Sequence, residues 1–171
     1  MNYFLWIRID RQRLYLRQID NGIILREFPV STAKNGPGEW ENSGCTPRGW
    51  HVIRAKIGTG APLGTVFVGR RPTGEIYTPK LGRQHPDRDW ILTRILWLSG
   101  LEVGRNRLGK VDTFRRYIYL HGSPDEVIRG APESHGCIRM RNEDIAWVFD
   151  AVDHGTKVYL SEDDQLPPSP P

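Results

Sequence analysis

Cysteine is scarce in this sequence: Cys45 and Cys137 are the only two in 171 residues. That excludes a disulfide framework and a four-cysteine zinc finger. Long apolar runs are missing too, and no stretch approaches the roughly 18 residues that a membrane span needs. Lysine is rare beside arginine, 5 against 19. Arginine grips a carboxylate or phosphate with two parallel donors, whereas lysine offers a point charge. Acidic residues are thin over 1–141, where 23 basic and 13 acidic side chains leave a balance of +10; over 142–171 one basic faces seven acidic, a balance of −6. This pattern admits two partner classes, nucleic acid or small anionic substrates, beside a plain solvated basic face. No nucleic-acid motif appears, and the arginines are dispersed rather than gathered in a stripe.

What is present suits one soluble domain. Hydrophobic residues make up 38% and charged residues 26%, and the length suffices to bury a core without staples. Met1 to Ile9 is briefly apolar, but Arg8, Asp10, Arg11 and Arg13 interrupt it at once, unlike a secretory leader. The expectation is a cytoplasmic protein with no membrane partner, periplasmic only if a signal peptide has been removed.

Tyr3–Ile9 and Gln12–Gln18 alternate apolar with polar residues and predict strands. Asp20-Asn21-Gly22 predicts the turn of a hairpin between Leu14–Ile19 and Ile23–Val30. Residues 31–49 are rich in Ser, Gly, Pro and Asn and predict a long irregular loop. Val52–Ile57, Thr65–Val68, Arg116–Leu120 and Lys157–Leu160 predict further strands, while Trp90–Leu98 fits a buried strand or a helix. One late helix spans about residues 143–154. Asn142 is its candidate N-cap, Ile145, Val148, Phe149 and Val152 form its apolar face, and Gly155 lies just past its end. The chain thus divides into a mainly β domain over 1–162 and a disordered Pro-rich tail over 163–171. His51, His85 and His154 have no motif around them and default to exposed or capping roles. Trp90, Trp97 and Trp147 default to the core.

The chemistry concentrates in Ser134-His-Gly-Cys-Ile-Arg-Met140 and in His121-Gly122-Ser123 at the end of a predicted strand. A thiol becomes a strong nucleophile when an imidazole draws its proton. His121, held rigidly at a strand end, is the candidate base for Cys137. Gly136 allows close backbone approach, and the N–H groups around Gly136 and Cys137 are candidate oxyanion donors. His135 is placed to polarise the pocket or orient substrate. Arg139, two residues after Cys137, shares its face in extended geometry and suits a substrate carboxylate. Tyr119 shares the face of His121 and is a second candidate for substrate binding, although strand tyrosines usually pack.

These segments resemble the L,D-transpeptidase catalytic (YkuD-type) family. The likeness includes Ile9 to Leu16, Phe28 to Thr32, Thr46 to Gly49, Thr93 to Leu98, Arg116 to Gly122 and the Asn142-Glu143-Asp144 helix start, and covers roughly 3–161. It implies a mainly β fold, a sandwich or mixed sheet with one late helix. It implies a thiolate at Cys137, a base at His121, and a carbonyl near Gly122 or Ser123 holding the imidazole tautomer. It implies oxyanion donors at His135, Gly136 and Cys137, with Ser134 in support. The implied substrates are peptidoglycan stem peptides (muropeptides), and no cofactor or metal is called for. The bond joins the L-centre of a diamino acid, usually meso-diaminopimelate, to a terminal D-residue, usually D-Ala. Without an export signal, water is the abundant acceptor, so the expected activity is an L,D-carboxypeptidase of peptidoglycan recycling; the alternative is an L,D-transpeptidase that cross-links or exchanges D-amino acids. Two other readings stay open at this level: a zinc site at His121, His135 and Cys137, which lacks a fourth ligand of standard spacing, and a non-catalytic binding module. Cys45 suits a free thiol at the surface or pocket edge.

Overall fold

The computed structural model describes residues 2–171. The first three strands, β1 (Tyr3–Arg8), buried on both faces, β2 (Arg13–Gln18), which alternates, and β3 (Ile24–Ser31), run antiparallel in that order. After a loop that carries only isolated bridges come β4 (Gly49–Ile57), β5 (Thr65–Val68), β6 (Arg71–Ile76) and a short helix α1 (Pro79–Gln84). Then follow β7 (Ile91–Gly100), β8 (Tyr119–Gly122), β9 (Ile138–Met140), helix α2 (Asn142–Ala151) and β10 (Lys157–Ser161). The sheet order is β4-β10-β1-β2-β3-β9-β8-β7-β5-β6, and β4 also pairs with β7. Eight strands therefore close on themselves, with β5 and β6 attached beyond. The sheet is mixed, because β1–β10 and β8–β9 run parallel. The closed face buries Leu5, Ile7, Leu14, Leu96, Leu120, Ile138 and Met140, and α2 packs Ile145, Val148 and Phe149 against them. Burying one such side chain contributes about 1.5–3 kcal/mol. No described helix is long and apolar enough to cross a membrane.

The expected mainly β fold with one late helix is present, and of the two readings of the Trp90–Leu98 segment the strand holds, as β7 from Ile91 to Gly100. Several local expectations need correction. Residues 116–118 are not strand: Tyr117 has φ 57°, which breaks extension, so β8 begins only at Tyr119. Asn142 is not the N-cap; Arg141 is, and Asn142 occupies the first turn with its side chain drawn elsewhere. The helix also ends at Ala151, because Val152 is extended and Thr156 Oγ1 accepts from the Asp153 N–H to start a turn. Trp147 is 37% exposed and lies on Phe28, with Arg26 over its ring. The Pro-rich tail joins no strand and lies against Phe4 and Trp50, where Trp50 Nε1 donates to the Pro168 carbonyl at 3.1 Å.

His51 is wholly buried rather than exposed. Its Nδ1 pairs with the Gly49 carbonyl at 3.0 Å and its Nε2 with Thr113 Oγ1 at 2.9 Å. Burial lowers its pKa to about 4. The folded state thus resists a proton that the unfolded chain accepts near 6.5, so this group's contribution is complete above that value and is lost as pH falls toward 4. Between pH 7 and pH 5 it should remove about 2 kcal/mol of unfolding free energy. Urea titrations at both pH values check this: His51→Gln should lose less stability on acidification than the native chain, and an equal loss would contradict it.

Candidate active site

The parallel pairing of β8 with β9 builds the site. Its register sets Leu120 beside Ile138, His121 beside Arg139 and Gly122 beside Met140. Side chains alternate faces along a strand. Leu120, Ile138 and Met140 therefore enter the core, while Tyr119, His121, Cys137 and Arg139 share the opposite face. All four line one cleft of about 330 Å³, with Arg70, Asp89 and Arg116 at its borders. That volume admits one or two residues of a peptide rather than a long segment.

Cys137 is held by a small hydroxyl clamp. Ser134 is buried, and its Oγ donates to the Cys137 carbonyl at 2.6 Å and accepts the Gly136 N–H at 3.2 Å. Thr46 Oγ1 donates to the Gly136 carbonyl and accepts the Ala33 N–H, both at 2.9 Å, which ties the 31–49 loop to the cysteine. Gly136 sits at φ 135°, and a Cβ there would lie 3.2 Å from the Cys45 carbonyl oxygen. One expectation changes: the Gly136 N–H is engaged by Ser134, so the N–H groups of His135 and Cys137 are the remaining oxyanion candidates.

The thiol is half-buried, 3.3 Å from the Tyr117 carbonyl, to which it donates, and 3.3 Å from the Tyr119 N–H, which donates to it. Burial pushes it up to about 12; the Tyr119 N–H, Arg139 and Arg116 pull the other way without offsetting this, and Asp89 adds to the rise. His121 is buried, and its Nδ1 lies 2.7 Å from the Gly122 carbonyl. A carbonyl only accepts, so Nδ1 carries the proton and Nε2 keeps its lone pair. Burial also holds the imidazole below its ordinary value, against the Gly122 carbonyl and Asp89. The resting pair is therefore a neutral thiol and a neutral imidazole.

Behind His121, the supporting carbonyl belongs to Gly122 and not to Ser123. The Ser123 carbonyl accepts from Asn142 Nδ2 at 2.9 Å, and Asn142 Oδ1 accepts the Thr93 hydroxyl. Thr93 has φ 73° at a register shift in β7, a strained conformation for a β-branched residue. The buried Ser123 Oγ has no protein partner and borders a second cleft with Trp90 and Arg139. Arg139 donates to the Glu133 carbonyl and to Asp89, each at 3.3 Å. Tyr119 is 4% exposed and packed edge-on against Trp97, with its hydroxyl accepting from Arg70 at 3.1 Å. His135 is exposed and borders three adjoining clefts. Cys45 is a free thiol whose carbonyl accepts from Arg116 at 2.6 Å. Among the described residues no three His, Cys, Asp or Glu side chains gather as a metal would require.

Residues 2–160 match the model of the L,D-transpeptidase catalytic domain family. The chain belongs to that family. A curated member, the "Probable L,D-transpeptidase YbiS" of Escherichia coli (strain K12), is 40% identical over 48 residues, 28% of this chain and 16% of that protein. Among solved L,D-transpeptidases, one from Mycobacterium smegmatis superposes with a TM-score of 0.55 at 22% identity, over 94% of this chain and 58% of the other. L,D-transpeptidase 3 of Mycobacterium tuberculosis, in complex with a faropenem-derived adduct, gives 0.56 at 18% identity, over 94% and 60%. At these identities the likeness shows the L,D-transpeptidase fold, and this chain spans less than two thirds of each relative's length. Four contributors at the site went unnoticed in the sequence: Asp89, Thr93, Arg116 and Arg70. Thr93 and Arg116 each open a family-like block, Thr93 to Leu98 and Arg116 to Gly122, but neither carries a local signal of its role; Asp89 and Arg70 lie outside those blocks.

Proposed function

We propose that the protein is a cysteine acyl-transfer enzyme working as an L,D-carboxypeptidase on murein tetrapeptides. The observation that carries this reading is the single face on which Cys137, His121 and Arg139 meet in one cleft. Arg139 takes the carboxylate of the terminal D-residue, one residue beyond the scissile carbonyl. The Cys137 thiol proton passes to His121 Nε2 as sulfur attacks that carbonyl. The oxyanion is met by the N–H groups of His135 and Cys137. Collapse breaks the C–N bond, and the imidazolium returns its proton to the departing amine. Water, deprotonated by the same Nε2, then adds to the thioester, releases the tripeptide acid and restores the thiol.

Product analysis on disaccharide tetrapeptide tests it. Tripeptide and free D-Ala should dominate with or without an added amine. A second reading, L,D-transpeptidation, is favoured by two further clefts that share His135 with the Cys137 cleft and offer room for a second peptide; dimer or exchanged product dominating over tripeptide would select it. We assign the reaction to recycling of soluble muropeptides in the cytoplasm, and a tetrapeptide pool that grows in cytoplasmic extracts when the protein is lost tests that assignment.

A neutral resting pair has a pH signature. The acid limb of kcat/KM should fall below the ordinary imidazole value of 6.5, because acid must protonate a buried His121. Alkylation of Cys137 by iodoacetamide should climb about tenfold per pH unit through pH 9, since the thiol lies at about 12. A rate flat from pH 5 to 9 would mean a preformed thiolate–imidazolium pair instead.

A further inference from the structure

Arg116 is half-buried at the edge of the cleft that holds Cys137. It donates to the carbonyls of Cys45 at 2.6 Å and Gly38 at 3.3 Å, and to Ser43 Oγ at 3.4 Å. All three acceptors are neutral, and no described carboxylate lies within ion-pair distance of it. Arg139, by contrast, is paired with Asp89. A guanidinium has five N–H donors, so these contacts leave some unused. A cation taken out of water without a counter-ion is costly unless a ligand supplies the charge. Beyond the cleft they share, the two arginines also border different neighbouring clefts. Arg139 borders the cleft of residues 86–90 and 123–127, while Arg116 borders the one formed by residues 41–44 and 109–118.

We propose that Arg116 binds a carboxylate on the acyl side of the scissile bond, so that the two arginines grip the stem peptide on opposite sides of Cys137. This rests on the carboxypeptidase reading, in which Arg139 takes the leaving residue and the acyl chain runs the other way. The acyl side of a stem peptide offers two such groups: the distal carboxylate of diaminopimelate and the α-carboxylate of the γ-linked D-Glu. Arg116 is thus a specificity-determining residue, selecting donors that carry that charge.

The experiment compares three tetrapeptides on the full-length protein: the native stem, one with Lys in place of diaminopimelate, and one with the D-Glu α-carboxylate amidated. In the unaltered protein, one of the two changes should raise KM about ten- to hundredfold, the scale of a lost charge-assisted pair, with kcat altered less than about threefold. That arm names the carboxylate. Arg116→Gln should raise KM for the native stem as much and leave KM for the matching peptide unchanged; Arg116→Lys should restore part of the loss. Equal KM for all three peptides in the unaltered protein overturns the proposal. So does an Arg116→Gln defect of the same size on every peptide, as lost loop packing or lost support of the thiol would give. If no tetrapeptide is cleaved, the carboxypeptidase reading fails separately, and calorimetric titration with the tripeptide decides this one. Binding weakened about tenfold or more by Arg116→Gln upholds it, and binding indifferent to Arg116 overturns it.

Discussion

Cys137→Ala should abolish release of the terminal D-residue, by a factor on the order of 10⁴ or more, while the fold survives. The side chain is half-buried and fixed by two weak sulfur contacts, so its loss leaves the hydroxyl clamp of Ser134 and Thr46 in place. The unfolding midpoint should therefore stay within a few degrees of the native value. His121→Ala should be nearly as damaging, since a thiol at about 12 needs a base and His121 is the imidazole that the β8–β9 pairing fixes on its face of the sheet. The two substitutions together should cost little more than either alone, because nucleophile and base act as one unit. Turnover by Cys137→Ala would remove the cysteine from the chemistry. Strictly multiplicative losses would mean that thiol and imidazole work independently, against the proton transfer between them.

How far the sequence announced this arrangement depends on how local each signal is. Strand β1 is a run of large apolar residues, β2 alternates and an Asp-Asn-Gly turn leads from it to β3, and α2 has its apolar stripe, so these elements were legible. So were His121 and Cys137, because their motifs are contiguous. Strand β6 was not, since Arg-Pro-Thr-Gly-Glu-Ile is polar and exposed and packs little. Arg116 to Ile118 continues an alternating pattern that only the positive φ of Tyr117 interrupts. Asn142 has the right type and place for an N-cap, yet the Ser123 carbonyl and Asp125, distant in sequence, claim its side chain. The parallel β8–β9 register that assembles the site pairs residues about eighteen apart, and no periodicity within either strand encodes it. Arg116 was hidden differently, as one arginine among 19, distinguished only by the carbonyls that surround it after folding.

Gly122→Ala should damage stability and catalysis together. A Cβ at this position would lie 2.5 Å from the Leu92 carbonyl oxygen and 2.8 Å from Asn142 Oδ1. Neither neighbour yields easily. Leu92 is fully buried and pairs with Gly122 across the β7–β8 ladder, and Asn142 is held by the Thr93 hydroxyl and the Ser123 carbonyl. Forcing them apart should cost on the order of 3 kcal/mol, the upper range for overpacking. The same shift moves the Gly122 carbonyl that fixes the His121 tautomer. A displacement near 1 Å at the base lowers kcat about a hundredfold. Asn142→Ala separates the two neighbours, since it removes one clash and leaves the nearer. In the double variant, denaturant titration should recover only part of the lost stability, and kcat should stay low because Ser123 has lost its amide partner. Full recovery of both would show that Asn142, and not the Leu92 backbone, sets the limit at Gly122. A native midpoint and native kcat in Gly122→Ala alone would remove this glycine from the support of His121.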